Sequence, residues 1–395
     1  MRREPARGGP RRVLFVTYTL GHPRVVGVFF RALRLAFEMR RRGWRPTVYN
    51  CGPIPEDPKV DRASAAGVAV VRLDFGDRPF GSNDVLGVLR GFEPDLVVFG
   101  ECPIPAIEPL YEAALQLASP LAVLDQYYDD GVGTRRFGVD RMVLYGLRAL
   151  WRDRVAERGW DLVPPFIERV LPPDELPVPP APPGVPTVTV LGFEPAVLDE
   201  GIELVAGLEG PRPRLVAISH DPEAAARRMA AAGLPQGLAV SLPLQPDEAL
   251  FGLVAAGRAA VLANGFMQML EAIALGCPAV CVDRGVGMWP WTLHRRYRSY
   301  IALGGDVAER RERLAGWLAA SPFPPELLAE LADERGGAAA TADRLETVAR
   351  RPALRPRAER AVARLRGAAG RALGTGRRER VPEWEPASEE AEGAR

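Results

Sequence analysis

The chain has 395 residues and carries 51 Lys and Arg against 50 Asp and Glu, so it lacks the overall basic field that marks a nucleic-acid-binding protein. With 47% hydrophobic and 26% charged residues, it has the composition of a soluble globular protein long enough for two domains. Its histidines (His22, His220, His294) and cysteines (Cys51, Cys102, Cys277, Cys281) form no CxxC pair and no zinc-ligand spacing, and no apolar run approaches the ~18 residues of a membrane-spanning helix.

Taken in order, residues 1–11 are a basic, glycine-rich lead-in, and the apolar run behind them, Val13–Val16, is far too short for the core of a secretory signal. Val13–Thr17 reads as a buried strand, Tyr18–Pro23 as a loop, and Val26–Arg42 as a helix. Phe29, Ala32, Leu33, Ala36 and Phe37 mark its inward face, and Gly43 stops it. Strands are predicted over Thr47–Asn50, Val68–Leu73, Asp95–Phe99 and Leu121–Leu124. Helices are predicted over Val85–Gly91, Ile107–Leu117 and Arg141–Arg154. Alternating strand and helix argue a parallel α/β layer.

The stretch Leu171–Pro186 is proline-dense and reads as an extended linker. Beyond it come strands at Thr187–Leu191, Arg214–Ser219 and Leu238–Leu242. Helices alternate with them at Val197–Leu208, Pro222–Ala232 and Pro246–Ala256, with two more at Val307–Ala319 and Pro325–Ala332. In between, Met288–Tyr300 is rich in Trp and Arg, and Trp289 and Trp291 suit an acceptor groove or a domain interface. After Ala349 the composition turns Arg- and Ala-rich, then acidic. That tail reads as a frayed or disordered segment, whose basic part suits at most a weak peripheral contact with an anionic membrane.

The stretch Gly257–Gly285 is the most compact signal. Apolar Ala260–Ala263 ends at Asn264-Gly265. A short helix, Phe266–Leu275, stops at Gly276, and apolar Pro278–Val282 ends at Asp283-Arg284-Gly285. This is a βαβ unit with very short connections. Its helix is apolar nearly all round except for Gln268 and Glu271, three apart and so on one face. Two readings stand: these residues mark the wet edge of a packed helix, or they serve a ligand. The turn before the helix offers free N–H groups to an anion, and Glu271 can accept two hydrogen bonds from a vicinal diol. Phosphate and ribose so placed describe a nucleotide.

The string Asn264 to Pro278 resembles the nucleotide-sugar signature of the GT-B glycosyltransferase superfamily: a glycine turn, a helix with Glu in its second turn, then small–Gly–x–Pro and an apolar strand. In that superfamily the Glu holds the nucleotide ribose, and Glu271 is the matching position. Many members have two glycines, His or Glu before the helix, where this chain has Asn264 and one glycine. The loop Gly21-His22-Pro23 after the first strand resembles the loop that carries the general base in GT-B enzymes acting on small molecules, as does Leu35–Val48 their helix and second strand. The residue types leave two readings for His22: a loop or capping histidine, or a base for an acceptor hydroxyl. The acid that orients this His in those enzymes falls here on Gly100, with Glu101 one step on.

The resemblance implies an α/β fold of two facing Rossmann-like domains with an interdomain cleft. Residues 12–175 form the acceptor domain, 176–186 the linker, 187–345 the nucleotide-sugar domain and 346–395 the tail. It implies a metal-independent, inverting glycosyltransferase with no cofactor besides the nucleotide-diphosphate sugar. His22 and Glu101 would be catalytic. Gly192, Phe193, Asn264, Gly265, Gln268, Glu271, Asp283 and Arg284 would bind the donor. Asp125 and Gln126, at another strand end, suit either a polar loop or contact with a small-molecule or lipid-linked acceptor. A cytoplasmic location is expected, and no nucleic-acid partner. Two alternatives share the fold: a nucleotide-sugar epimerase and a non-catalytic binding or scaffold protein.

Overall fold

The computed structural model describes residues 10–18, 27–73, 82–100, 113–114, 117, 119–125, 141–145, 147, 161–263, 266–282, 298–303 and 305–350. Among them two all-parallel sheets are found. The first holds β1 (Arg12–Tyr18), β2 (Arg45–Cys51), β3 (Ala69–Leu73), β4 (Leu96–Phe99), β5 (Leu121–Asp125), β6 (Arg141–Tyr145) and β7 (Asp161–Val163) in the order 3-2-1-4-5-6-7. The second holds β8 (Thr187–Gly192), β9 (Arg214–Ser219), β10 (Ala239–Leu242), β11 (Ala259–Ala263), β12 (Ala279–Val282) and β13 (Ile301–Leu303) in the order 10-9-8-11-12-13. Each sheet reverses its strand order beside its own first strand, between β1 and β4 and between β8 and β11. Such switch points are where open α/β sheets bind ligands, outside the carboxyl ends of the strands.

Both faces of each sheet are covered, which explains the continuous apolar strands. Along β1, Val13 and Phe15 enter one core cluster while Leu14 and Val16 enter another. Along β11, Ala260 and Leu262 face one cluster and Val261 the opposite one. The first of these clusters runs through both domains: Phe29 and Leu33 belong to it together with Phe251, Leu270 and Ile273. The domains are therefore joined by apolar packing as well as by the linker.

The helices that matter for the site are α1 (Gly27–Arg41), α2 (Pro58–Ala65), α3 (Ser82–Gly91), α4 (Pro195–Ala206), α5 (Pro222–Ala231), α6 (Asp247–Ala256) and α7 (Phe266–Ala274). Behind them come α8 (Val307–Ala319), α9 (Pro325–Ala332) and α10 (Gly337–Ala349). Helix α10 returns to the first domain and packs on α1 and on β4–β7. Ala338, Ala342, Leu345 and Val348 are buried there. Glu168 accepts a hydrogen bond from Ala338 N at 2.9 Å, Trp44 Nε1 donates to Glu346 at 3.1 Å, and Arg42 pairs with Asp343 at 2.5 Å. A domain boundary at 345 falls inside this helix.

Several elements differ from the sequence reading, α10 and the short strands β7 and β13 among them. Arg141–Tyr145, expected to begin a helix, is strand β6, paired with β5 from Ala122↔Arg141 to Asp125↔Leu144. The proline-rich loop before β3 contains α2, opened by an Asp57 cap that accepts from Lys59 N at 2.8 Å, with Pro58 in the first turn. The linker includes one 3-10 turn, Pro173–Glu175. Among the described residues no helix is long and apolar enough to cross a membrane. Cys51, Cys277 and Cys281 are buried and free; burial pushes the Cys51 and Cys277 thiols up to about 12.

Candidate functional site

Helix α7 leaves the switch point of the second sheet directly behind β11. Met267, Met269, Leu270, Ala272, Ile273 and Ala274 are all buried, which holds the helix between neighbours on several sides. It ends in a Schellman arrangement: Cys277 N donates to Ala272 O at 2.9 Å and Gly276 N to Ile273 O at 2.8 Å. Gly276 has φ 71°, a backbone only glycine adopts without strain. The small–Gly–x–Pro string thus terminates the helix sharply enough for β12 to begin at Ala279.

Glu271, in the second turn, is 7% exposed, and its carboxylate is held by Arg34 Nη1 of the first domain. Arg34 lies on α1 and forks between two acids. Its Nε donates to Asp247 Oδ2 at 2.7 Å and its Nη2 to Asp247 Oδ1 at 3.2 Å. The guanidinium also lies 5.1 Å from the centre of the Phe251 ring. Lys59, fixed in the capped first turn of α2, reaches Asp247 Oδ1 at 2.5 Å. Two cations of the first domain therefore meet two carboxylates of the second.

The two acids are not equivalent. Burial works to raise the Asp247 carboxyl, but the charges of Arg34 and Lys59 outweigh it and hold Asp247 well below the usual carboxylate range. For Glu271 burial dominates, and with Asp247 nearby it holds that carboxyl above its ordinary value despite Arg34.

The neighbouring contact between α1 and α7 is also close. A Cβ on Gly27 would stand 3.6 Å from Met267 Sδ. With Arg34 against Glu271 further along, the two helices approach each other at two places.

Gly192 closes β8 with no room to spare: a Cβ there would lie 3.0 Å from Leu198 Cβ of α4. Phe193 is half-buried and packs on the core cluster shared by the domains. Gln268 Oε1 is a buried atom that finds no hydrogen-bond partner among the described residues. Asp125 is the last residue of β5, in register with Leu144 of β6. His22, Glu101, Gln126, Asn264, Gly265, Asp283, Arg284, Trp289 and Trp291 lie outside the described residues. Among the described residues no group of three His, Cys, Asp or Glu side chains could hold a metal ion.

At the other switch point, a Cβ on Gly100 would meet Val28 Cγ1 at 2.7 Å and Thr17 Cγ2 at 3.2 Å. Its carbonyl accepts from the fully buried Arg31. The space an acid would occupy at Gly100 is filled by α1 and β1. Nearby, Thr17 donates to Asn50 Oδ1 at 2.9 Å, and Asn50 Nδ2 to Pro53 O at 2.9 Å, fixing the chain as it leaves β2.

The sequence reading missed Arg34, Lys59 and Asp247. Their pairings span 213 residues in one case and 237 in another, a distance at which spacing carries no signal.

No protein-family model matches the chain, and no curated protein does. Solved structures do. The calicheamicin glycosyltransferase CalG4 superposes with a TM-score of 0.54 at 19% identity, over 86% of this chain and 98% of its own. The spinosyn rhamnosyltransferase SpnG, solved with thymidine diphosphate, gives 0.55 at 15% identity over 84% and 99%. A putative UDP-N-acetylglucosamine 2-epimerase from Listeria monocytogenes gives 0.52 at 13% identity over 85% and 95%. The likeness is one of fold, and it covers both domains: the chain has the GT-B architecture of two Rossmann-like halves.

Proposed function

We propose that this protein is a glycosyltransferase that moves a sugar from a nucleotide-diphosphate sugar to an acceptor hydroxyl. The observation that carries the reading is Glu271, a buried carboxylate in the second turn of the helix that leaves the switch point of the second sheet. Among the similar structures, the spinosyn rhamnosyltransferase was solved with thymidine diphosphate, which supports the same chemistry.

In this reading the donor diphosphate lies at the N-terminal end of α7, against Asn264, Gly265, Gly192 and Phe193. Helix dipole and backbone N–H groups then stabilise the departing diphosphate without a metal. Glu271 accepts hydrogen bonds from the nucleoside sugar, Gln268 lies beside it, and Asp283 or Arg284 reaches the transferred sugar. His22 takes the proton of the acceptor, a small molecule or a lipid-linked one, as its oxygen attacks the anomeric carbon in line and inverts it. With Gly100 packed shut, Glu101 is the candidate to orient His22; Asp125 and Gln126 contact the acceptor. The reaction belongs in the cytoplasm, where nucleotide sugars are made, and the basic tail suits a weak contact with a membrane carrying the acceptor.

The epimerase among the similar structures supports a second reading, rearrangement of the nucleotide sugar itself. Turnover decides. Consumption of a nucleotide sugar only when an acceptor is present supports transfer; interconversion without acceptor supports epimerisation; neither supports a binding protein. Glu271→Ala tests the site: it removes up to two charge-assisted hydrogen bonds and should weaken nucleoside diphosphate binding by at most about 1.5–3 kcal/mol, less whatever it costs to free the carboxylate from Arg34. Unchanged affinity in calorimetry on the folded variant would refute the assignment of Glu271.

A further inference from the structure

The carboxylate assigned to the nucleoside sugar is already occupied by Arg34. We propose that Arg34 is a built-in competitor at this site: the ligand's ribose hydroxyls displace its Nη1 from Glu271, while Asp247 keeps hold of the rest of the guanidinium. The inference rests on the reading of the second domain as a nucleoside diphosphate site.

Three features of the cluster make the exchange inexpensive. Arg34 binds Asp247 through two nitrogens, at 2.7 and 3.2 Å, and Glu271 through Nη1. Letting go of Glu271 leaves the bidentate contact whole. Asp247 is itself pinned by Lys59 at 2.5 Å, and the guanidinium is backed by the Phe251 ring, so Arg34 has a fixed place to stay. Glu271 is the acid whose burial is less well compensated, and a hydroxyl donor can replace the donor it loses.

The exchange also couples the ligand to the domain interface. Arg34 belongs to the first domain and Glu271 to the second, so each bound ligand removes one of the cross-domain contacts. Apparent affinity scales with the fraction of molecules in which Arg34 has released Glu271. Releasing a single charged hydrogen bond corresponds to about a tenfold gain in affinity.

Calorimetric titration of the full chain with UDP, GDP, ADP and TDP, and with inorganic pyrophosphate, tests this. Arg34→Gln and Arg34→Lys should each tighten binding of the preferred nucleoside diphosphate about tenfold. The Lys variant keeps the charge near Asp247 without a fork to span both acids. Neither should change pyrophosphate affinity, since pyrophosphate has no sugar hydroxyls. Asp247→Asn should act in the opposite direction, because Arg34 then has Glu271 as its remaining carboxylate in the cluster. A merely structural cluster predicts no such opposition of sign. If the wild type binds a nucleoside diphosphate and the folded Arg34 variants bind it equally or less tightly, the competitor role is overturned while the site assignment stands. If Arg34→Gln does not fold, Arg34→Lys decides alone. If no nucleoside diphosphate binds the wild type or any variant, the nucleotide reading falls and the competitor with it.

Discussion

Asp247→Asn is the sharpest test of what joins the two domains. The substitution keeps the shape of the side chain and removes its charge, leaving Arg34 and Lys59 without their shared carboxylate. Breaking a fully buried pair typically costs 3–5 kcal/mol, and an exposed pair is worth about 0–1 kcal/mol. The side chain of Asp247 is 22% exposed, against 13% for Arg34 and 14% for Lys59. The expected loss therefore lies between those limits, at about 2–3 kcal/mol near pH 7. It should also depend on pH in a definite sense. The folded-state carboxyl lies below its unfolded value of about 3.9, so its contribution is full above that value. It is lost as pH falls below it toward the folded value. The difference between wild type and variant should accordingly shrink between pH 5 and pH 3. Glu271 runs the other way: its carboxyl is raised by burial, so keeping it ionised costs folding energy that disappears as pH drops. Urea unfolding of both proteins in steps from pH 7 to pH 3 measures the difference directly. A loss under ~1 kcal/mol at pH 7, or one that stays constant down to pH 3, would refute the reasoning.

Three further outcomes follow from the fold and the proposed chemistry. His22→Ala should lower turnover by ~10²–10⁴-fold with donor affinity nearly unchanged. The wild-type rate should fall as pH drops through the His pKa, ~6.5 if unperturbed, and the variant should lose that limb; near-normal turnover of the variant would move the base elsewhere. Truncation after Arg350 should leave the thermal midpoint close to that of the full chain. Truncation after Arg335 removes α10 and should lower it sharply, and equal midpoints would show that α10 adds little. Gly100→Asp should destabilise the protein and fail to raise turnover, because Val28 and Thr17 occupy the space; a stable, faster variant would contradict that packing.

Much of the second domain was legible because its signals are local. The unit around α7 has short connections, a helix closed by Gly276 and two apolar runs, and each appears where spacing puts it. Helices α8 and α9 match their predicted bounds, Val307–Ala319 and Pro325–Ala332. The misses have physical causes. Arg141–Tyr145 has no period that separates a strand from a buried helix, and only pairing with β5 decides it. Helix α2 hid among prolines although its start signal, Asp57 before Pro58, was present. Helix α10 opens with two glycines and an alanine run, Gly336 having φ 76°, so it reads as the edge of the tail. Arg34 looks like any solvated helix arginine until Asp247 and Glu271 arrive from the other domain. The turn Asn264-Gly265, proposed here to face the diphosphate, lies outside the described residues.

The return of α10 also sets the order in which this chain can finish folding. The ribosome releases the first sheet and its linker long before Gly337–Ala349 exists. Until that helix emerges, the faces of α1 and β4–β7 that bury Ala342, Leu345 and Val348 lack the cover it provides. Synthesis of the second domain therefore proceeds before the helix that packs into this groove of the first is available. A fragment ending in the proline-rich linker would carry that open groove permanently. Biosynthetically, the two halves are one folding unit joined by α10.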